Sequence, residues 1–301
     1  MYLRHSVDGP GLFVLLLFVL GAGVLVGGEE APSPVLLWPD KLPGFVENAP
    51  AENTTANGHI DNVSIPSITA YLPPEGKGNG TAIIICPGGS YRLLDWNTHV
   101  LATSQVFNAK GIAVIGLKYR TNPPNKIYSE NRGIPLMDVQ RAVRTVRSRA
   151  AEWKIDPARV GVLGYSAGAN LAVTSAEQFD EGKSGAEDPV ERLSCRPDFV
   201  VACSVWHWKQ TASPFQFSKN TPPLFMVHAA DDKIAPVELP QAIKAQLEAL
   251  GVPVQLEVYD KGGHGVGHLS SRWVAQGLPP DNWSVKFLAW LGGLSLAGGK
   301  P

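Results

Sequence analysis

Six short apolar runs separated by helical patterns constrain this chain more than any other feature it has: residues 81–86, 112–117, 159–163, 199–205, 224–228 and 254–259. The first of them, Thr81-Ala82-Ile83-Ile84-Ile85-Cys86, is continuous and rich in β-branched residues instead of alternating, which is the pattern of a strand covered on both faces. Helical periodicity is expected over 98–110, 136–153, 167–177, 238–250 and 283–291. Strands alternating with helices imply an α/β chain with a mostly parallel central sheet and helices on both of its faces. Upstream, residues 60–71 alternate and stop at Pro73-Pro74, which predicts an antiparallel edge strand. Residues 31–58 lack periodicity and read as an extended arm with a short strand near 35–38.

The charge balance, 26 Lys+Arg against 27 Asp+Glu, leaves a formal net charge of −1 and no electrostatic case for nucleic acid binding. With 44% hydrophobic and 18% charged residues the chain is globular, not disordered. Arg4 and His5 precede an apolar run over 12–26, which ends at Gly27-Gly28 before Glu29-Glu30. That run is shorter than the ~20 residues of a membrane-spanning helix and carries the layout of a cleaved signal peptide. The expected organisation is therefore a signal peptide at 1–28, an extended arm at 29–59 and one catalytic domain at 60–301, in a secreted or periplasmic protein with no membrane contact beyond the signal segment. Three cysteines, Cys86, Cys195 and Cys203, are too few for a disulfide framework. At most one bridge can form, with Cys195 and Cys203 the nearer pair in sequence. No Cys/His spacing suggests zinc, and no metal or organic cofactor is expected. Sequons stand at Asn53, Asn62, Asn79 and Asn282.

The third run passes directly into Gly164-Tyr165-Ser166-Ala167-Gly168 and then a helix of small residues. G-x-S-x-G between a buried strand and a helix makes a turn so tight that only small residues fit at its flanks, and it presents the serine oxygen at the helix N-terminus. A serine hydroxyl is a weak nucleophile near neutral pH, so it needs a base, and the base needs an orienting carboxylate. In this topology the acid follows the penultimate strand and the base follows the last one. Asp231 and Asp232 follow the run at 224–228, and Asp232 is favoured by its spacing to Pro236, leaving Asp231 as a turn or capping residue. His264 follows the last run within Lys261-Gly262-Gly263-His264-Gly265, and His268, further along the same loop, is the rival. His228 ends a strand and reads as a packed core residue. Oxyanion donors are expected from the Ala167 amide and from Gly88 or Gly89, in Cys86-Pro87-Gly88-Gly89-Ser90-Tyr91.

On these residues the chain resembles the α/β-hydrolases, and among them the bacterial acetylxylan and feruloyl esterases. The likeness is carried by CPGGSY at 86–91, LKYR at 117–120, DPARVGVLGYSAGANLA at 156–172, HAADDKIAP at 228–236 and KGGHGVG at 261–267. It implies an α/β-hydrolase fold, with Ser166 as nucleophile, Asp232 as acid and His264 as base. It also implies a small-molecule or polysaccharide ester as substrate, short acyl groups on xylan among them. Two stretches depart from that pattern, residues 94–99 and 270–282, and both are candidates to border the substrate. Tyr91 and Trp206 are expected substrate contacts, and Trp96, Trp208 and Trp273 are further aromatics that could stack on a sugar ring. Competing readings are an exported serine peptidase of the same fold and a hydrolase-like binding protein without activity. The first normally needs a second, substrate-selecting domain, and the second normally lacks a triad member.

Overall fold

The continuous β-branched runs build the sheet that positions everything else. A computed structural model of the chain describes residues 32–40, 42–44, 47–121, 133–207, 214–270 and 280–294. The expected signal segment, Trp208, Trp273 and most of the 270–282 stretch lie outside the described residues. In chain order the strands are β1 (Val35–Leu36), β2 (Asn53–Thr54), β3 (His59–Asp61), β4 (Ser67–Tyr71), β5 (Ala82–Cys86), β6 (Leu93–Asp95), β7 (Ala113–Lys118), β8 (Val160–Tyr165), β9 (Val200–Cys203), β10 (Leu224–Ala229) and β11 (Val254–Tyr259). Eight of them form one sheet in the order β1-β4-β7-β5-β8-β9-β10-β11. From β7 to β11 every pairing is parallel, whereas β1 with β4 and β4 with β7 are antiparallel.

The helices are α1 (Ala102–Asn108), α2 (Gly133–Ser148), α3 (Ala167–Glu177), α4 (Glu238–Ala249) and α5 (Pro280–Gly293). Alternate residues of β5 feed opposite cores. Ile84 joins Val139, Leu171 and Ile243 of α2, α3 and α4, while Ile83 and Ile85 join Phe107 of α1 and Trp283, Phe287 and Leu291 of α5. The central strands β5, β7, β8, β9 and β10 are buried along nearly their whole length, which is why they read as unbroken apolar runs. The α2 helix departs from a simple amphipathic pattern, because Arg141 and Arg144 are buried with its apolar residues. They hold acidic loop residues, Arg141 bonding Glu191 at 2.9 Å and Arg144 pairing with Asp180.

Several expectations need correction. The single strand expected over 60–71 is two strands, broken at Asn62 where φ is +54°, and they enter different sheets. The short strand expected near 35–38 is present as β1, which pairs with β4 at the sheet edge, while β2 of the arm pairs with β3. A second, three-stranded sheet, β2-β3-β6, was not expected at all. Its strands are two or three residues long, too short to show a period. The helix expected over 98–110 starts as one π-helical turn at Asn97–Leu101 before α1. Cys195 and Cys203 do not pair, and all three cysteines are free and buried.

Candidate active site

The loops that leave the parallel strands at their C-terminal ends converge over the middle of the sheet, where open α/β sheets bind ligands. The turn after β8 is the tightest of them. A Cβ on Gly164 would lie 2.0 Å from the carbonyl oxygen of Gly168, and one on Gly168 would lie 2.0 Å from that of Cys86, so both positions exclude a side chain. Ser166 itself is held at φ +54°, ψ −116°, a region that costs a non-glycine residue about 1–3 kcal/mol. Its amide bonds the Cys203 carbonyl at 2.9 Å, which anchors the strained residue to β9.

Two loops deliver the partners. His264 Nε2 lies 2.7 Å from Ser166 Oγ, and His264 Nδ1 lies 2.8 Å from Asp232 Oδ2. A carboxylate can only accept, so Nδ1 carries the imidazole proton and Nε2 is the free acceptor facing the serine hydroxyl. The other Asp232 oxygen accepts from the amides of Ile234 and Ala235, both at 2.9 Å. Burial alone would raise the Asp232 pKa. The bonds from His264, Ala235 and Ile234 outweigh it and hold the carboxyl below its ordinary value. Asp231 is exposed and accepts from the Gly263 amide at 2.7 Å, so the two adjacent aspartates divide the work: one faces the imidazole, the other ties down the loop that carries it. His228 is fully buried beneath Asp232, with Nε2 donating to the Ala235 carbonyl at 2.6 Å.

The loop after β5 closes the other side. Gly89 has φ +139°, and a Cβ there would meet the Leu93 carbonyl oxygen at 2.1 Å, so only glycine fits. The Gly88 amide bonds His99 Nδ1 at 3.1 Å and is thereby taken. Between the two expected donors this leaves Gly89, together with the Ala167 amide in the first turn of α3, where helix amides lack intrahelical acceptors. Tyr91 is corrected as a substrate contact. Its ring is fully buried, and its hydroxyl donates to Asn170 Oδ1 at 2.8 Å, which staples this loop to α3. The Tyr119 hydroxyl donates to the Pro87 carbonyl at 2.6 Å from the opposite side.

These loops enclose a cavity of about 290 Å³ lined by Gly89, Ser90, Ser166, Trp206, His264 and His268, among others. Trp206 is half-buried beside the serine, whereas Trp96 bonds the Tyr71 hydroxyl at 3.2 Å, packs into the core and is absent from the cavity wall. His59 and Asp95 face each other across β3 and β6 and line the same cavity. Asp95 falls within the 94–99 stretch expected to border the substrate, whereas sequence reasoning gave His59 no role, because a two-to-three-residue sheet leaves no periodic signal. His99 closes that same stretch, but its partners stand 11 and 169 residues away and were not foreseen. A second cavity of about 320 Å³ sits where β5 and β7 begin, near Thr81 and Ala113, far from this constellation. Among the described residues no group of three or more His, Cys, Asp and Glu is arranged to hold a metal, and no helix is long and apolar enough to cross a membrane.

The comparisons with known proteins agree with this architecture. Residues 68–197 match the BD-FAE family model. The solved acetyl ester-xyloside bifunctional hydrolase of Caldicellulosiruptor lactoaceticus superposes with a TM-score of 0.73 at 29% identity, over 90% of this chain and 100% of that one. The chain has the α/β-hydrolase fold. It is also 30% identical over 218 residues to an acetylxylan esterase of Xylanibacter ruminicola, covering 66% of this chain and 43% of the relative. It is 26% identical over 225 residues to endo-1,4-beta-xylanase B of Butyrivibrio fibrisolvens, covering 67% of this chain and 35% of that protein. It thus spans less than half the length of either curated relative.

Proposed function

We propose that this protein is a serine carboxylic ester hydrolase that removes short acyl groups, acetyl above all, from carbohydrate esters such as acetylated xylan. One observation carries the reading: Ser166 Oγ, His264 and Asp232 form a continuous hydrogen-bonded chain of 2.7 and 2.8 Å at the mouth of a cavity. Ser166 Oγ attacks the ester carbonyl while His264 Nε2 takes the hydroxyl proton, and Asp232 stabilises the imidazolium so formed. The amides of Gly89 and Ala167 receive the developing oxyanion. His264 then protonates the departing alcohol, leaving Ser166 acylated. Water, deprotonated by the same nitrogen, attacks the acyl carbon and releases the acid and the serine. The acid and base chemistry is complete within these side chains.

The acetyl and carbohydrate preference rests on similarity to the acetylxylan esterase and to the acetyl ester-xyloside hydrolase. Trp206 offers a face for a sugar ring, and Asp95 and His59 offer partners for its hydroxyls. A secreted or periplasmic location is part of the proposal and rests on the leader-like pattern at 1–28.

The test compares the full chain with Ser166→Ala on p-nitrophenyl acetate, acetylated xylan and a feruloyl ester. Release of acetate from the first two is expected, falling by roughly 10³-fold or more in the variant. A folded wild type that turns over none of the three overturns the reading, and cleavage of peptide amides instead would move the protein to the peptidases.

A further inference from the structure

His99 Nε2 and His268 Nε2 stand 3.0 Å apart, with ring centroids 4.6 Å apart in an edge-to-face arrangement. The backbone decides which nitrogen carries each proton. The Gly88 N–H can only donate, so His99 Nδ1 must be bare and accept it at 3.1 Å. The His99 proton is then on Nε2, which donates to His268 Nε2. His268 in turn is bare at that nitrogen, the one a serine base would need, so the rival base is already committed elsewhere. His99 also stacks on Tyr165, the residue before Ser166, at 4.4 Å and an interplanar angle of 12°. One buried imidazole therefore touches both halves of the site, the loop after β5 and the turn after β8.

We propose that His99 and His268 are a positioning pair that holds the Gly88 amide out of the reaction, so that the Gly89 amide faces the oxyanion together with that of Ala167. The proposal rests on the ester-hydrolysis reading and extends it to two residues outside the triad. The arrangement works only while His99 is neutral, since a proton on Nδ1 would meet the Gly88 N–H. The titratable groups around His99 are Tyr165 from β8, His264 and His268 from the loop after β11, His59 from β3 and Asp95 from β6. Burial, then the neighbouring His264 and His59, push the His99 pKa down to about 3, so the tie to Gly88 persists at neutral and mildly acid pH.

Three measurements on the full chain test the pair. Nitrogen NMR of the imidazoles in the wild type should report His99 protonated at Nε2 and bare at Nδ1. His99→Leu, which cannot accept from Gly88, should lower kcat on p-nitrophenyl acetate by roughly 10- to 100-fold with KM changed less than about twofold. It should weaken a boronic acid adduct of Ser166 in parallel. His99→Asn places an oxygen where Nδ1 stood and should restore kcat to within about fivefold of the wild type. A His99 protonated at Nδ1 in the wild type overturns the proposal. So does a Leu variant that keeps its kcat, or an Asn variant that falls as far as Leu while both melt near the wild type. If the wild type hydrolyses no ester in a Ser166-dependent way, the proposed function fails, while the NMR result still decides the tautomer.

Discussion

At the scale of single residues, the site turns on which atom of each polar side chain is already engaged. Asp232 uses one oxygen for two backbone amides and the other for His264, so the imidazole has a single orientation and a single tautomer. Asp232→Asn is expected to lower kcat by about 10³- to 10⁴-fold, because an amide can donate to Nδ1 and stabilise the wrong tautomer. KM should change little, and steady-state kinetics on p-nitrophenyl acetate reads both. Asp231→Ala is expected to act more mildly, since its loss frees only the Gly263 amide in the loop that carries His264. Equal losses in the two variants would mean that the aspartates share one role. The choice of Asp232 over its neighbour was legible from its spacing to Pro236. The choice of Gly89 over Gly88 was not, because it depends on an imidazole that the fold brings in from the next element.

At the scale of elements, each strand end and helix start is braced by residues that the chemistry never touches. The clearest brace joins the end of β7 to α2. Asp138, fully buried, accepts from the Arg120 amide at 3.0 Å and from its guanidinium at 2.6–3.1 Å, and Trp38 Nε1 reaches the same carboxylate at 3.4 Å. A buried pair of this kind adds little net stability over an apolar one, but losing one partner strands the other charge. Asp138→Ala is therefore expected to destabilise the fold by about 3–5 kcal/mol in a denaturant titration, with kcat in the surviving folded fraction near wild type. A cost below about 1 kcal/mol would show that Arg120 finds water or another acceptor. Periodicity located the long elements because a sheet covered on both faces needs continuous apolar strands. It missed β2, β3 and β6 as a sheet, because they are held by pairing partners rather than by their own pattern.

For the whole molecule, burial of neutral histidines sets the response to acid. His99 is pushed down to about 3, chiefly by desolvation, and His228 is lowered for the same leading reason, against the ordinary 6.5. The unfolded chain takes up these protons near its ordinary histidine value and the folded chain does not. Stability is therefore expected to fall as pH drops below about 6.5, by up to ~1.4 kcal/mol per pH unit for each histidine kept neutral. Asp232 has the opposite bias: its lowered folded value favours the fold above about 3.9, and that advantage is lost as pH falls through the folded value. Melting temperatures taken from pH 8 to 4 should show the histidine slope in the wild type and a shallower one in His99→Asn. Identical slopes would mean that His99 is protonated in the fold. The alternation of apolar runs and helices, the Gly164–Gly168 turn and the order serine, aspartate, histidine were all determined by the sequence alone, because each depends on local sterics or on a strand period that neighbouring residues write. The cavity wall, the burial of Tyr91, the pairing of His99 with His268 and the donor left over for the oxyanion were decided only in the tertiary structure. They depend on which hydrogen-bonding atoms meet across long separations, and a single imidazole in a crowded interior can satisfy only the partners the fold places beside it.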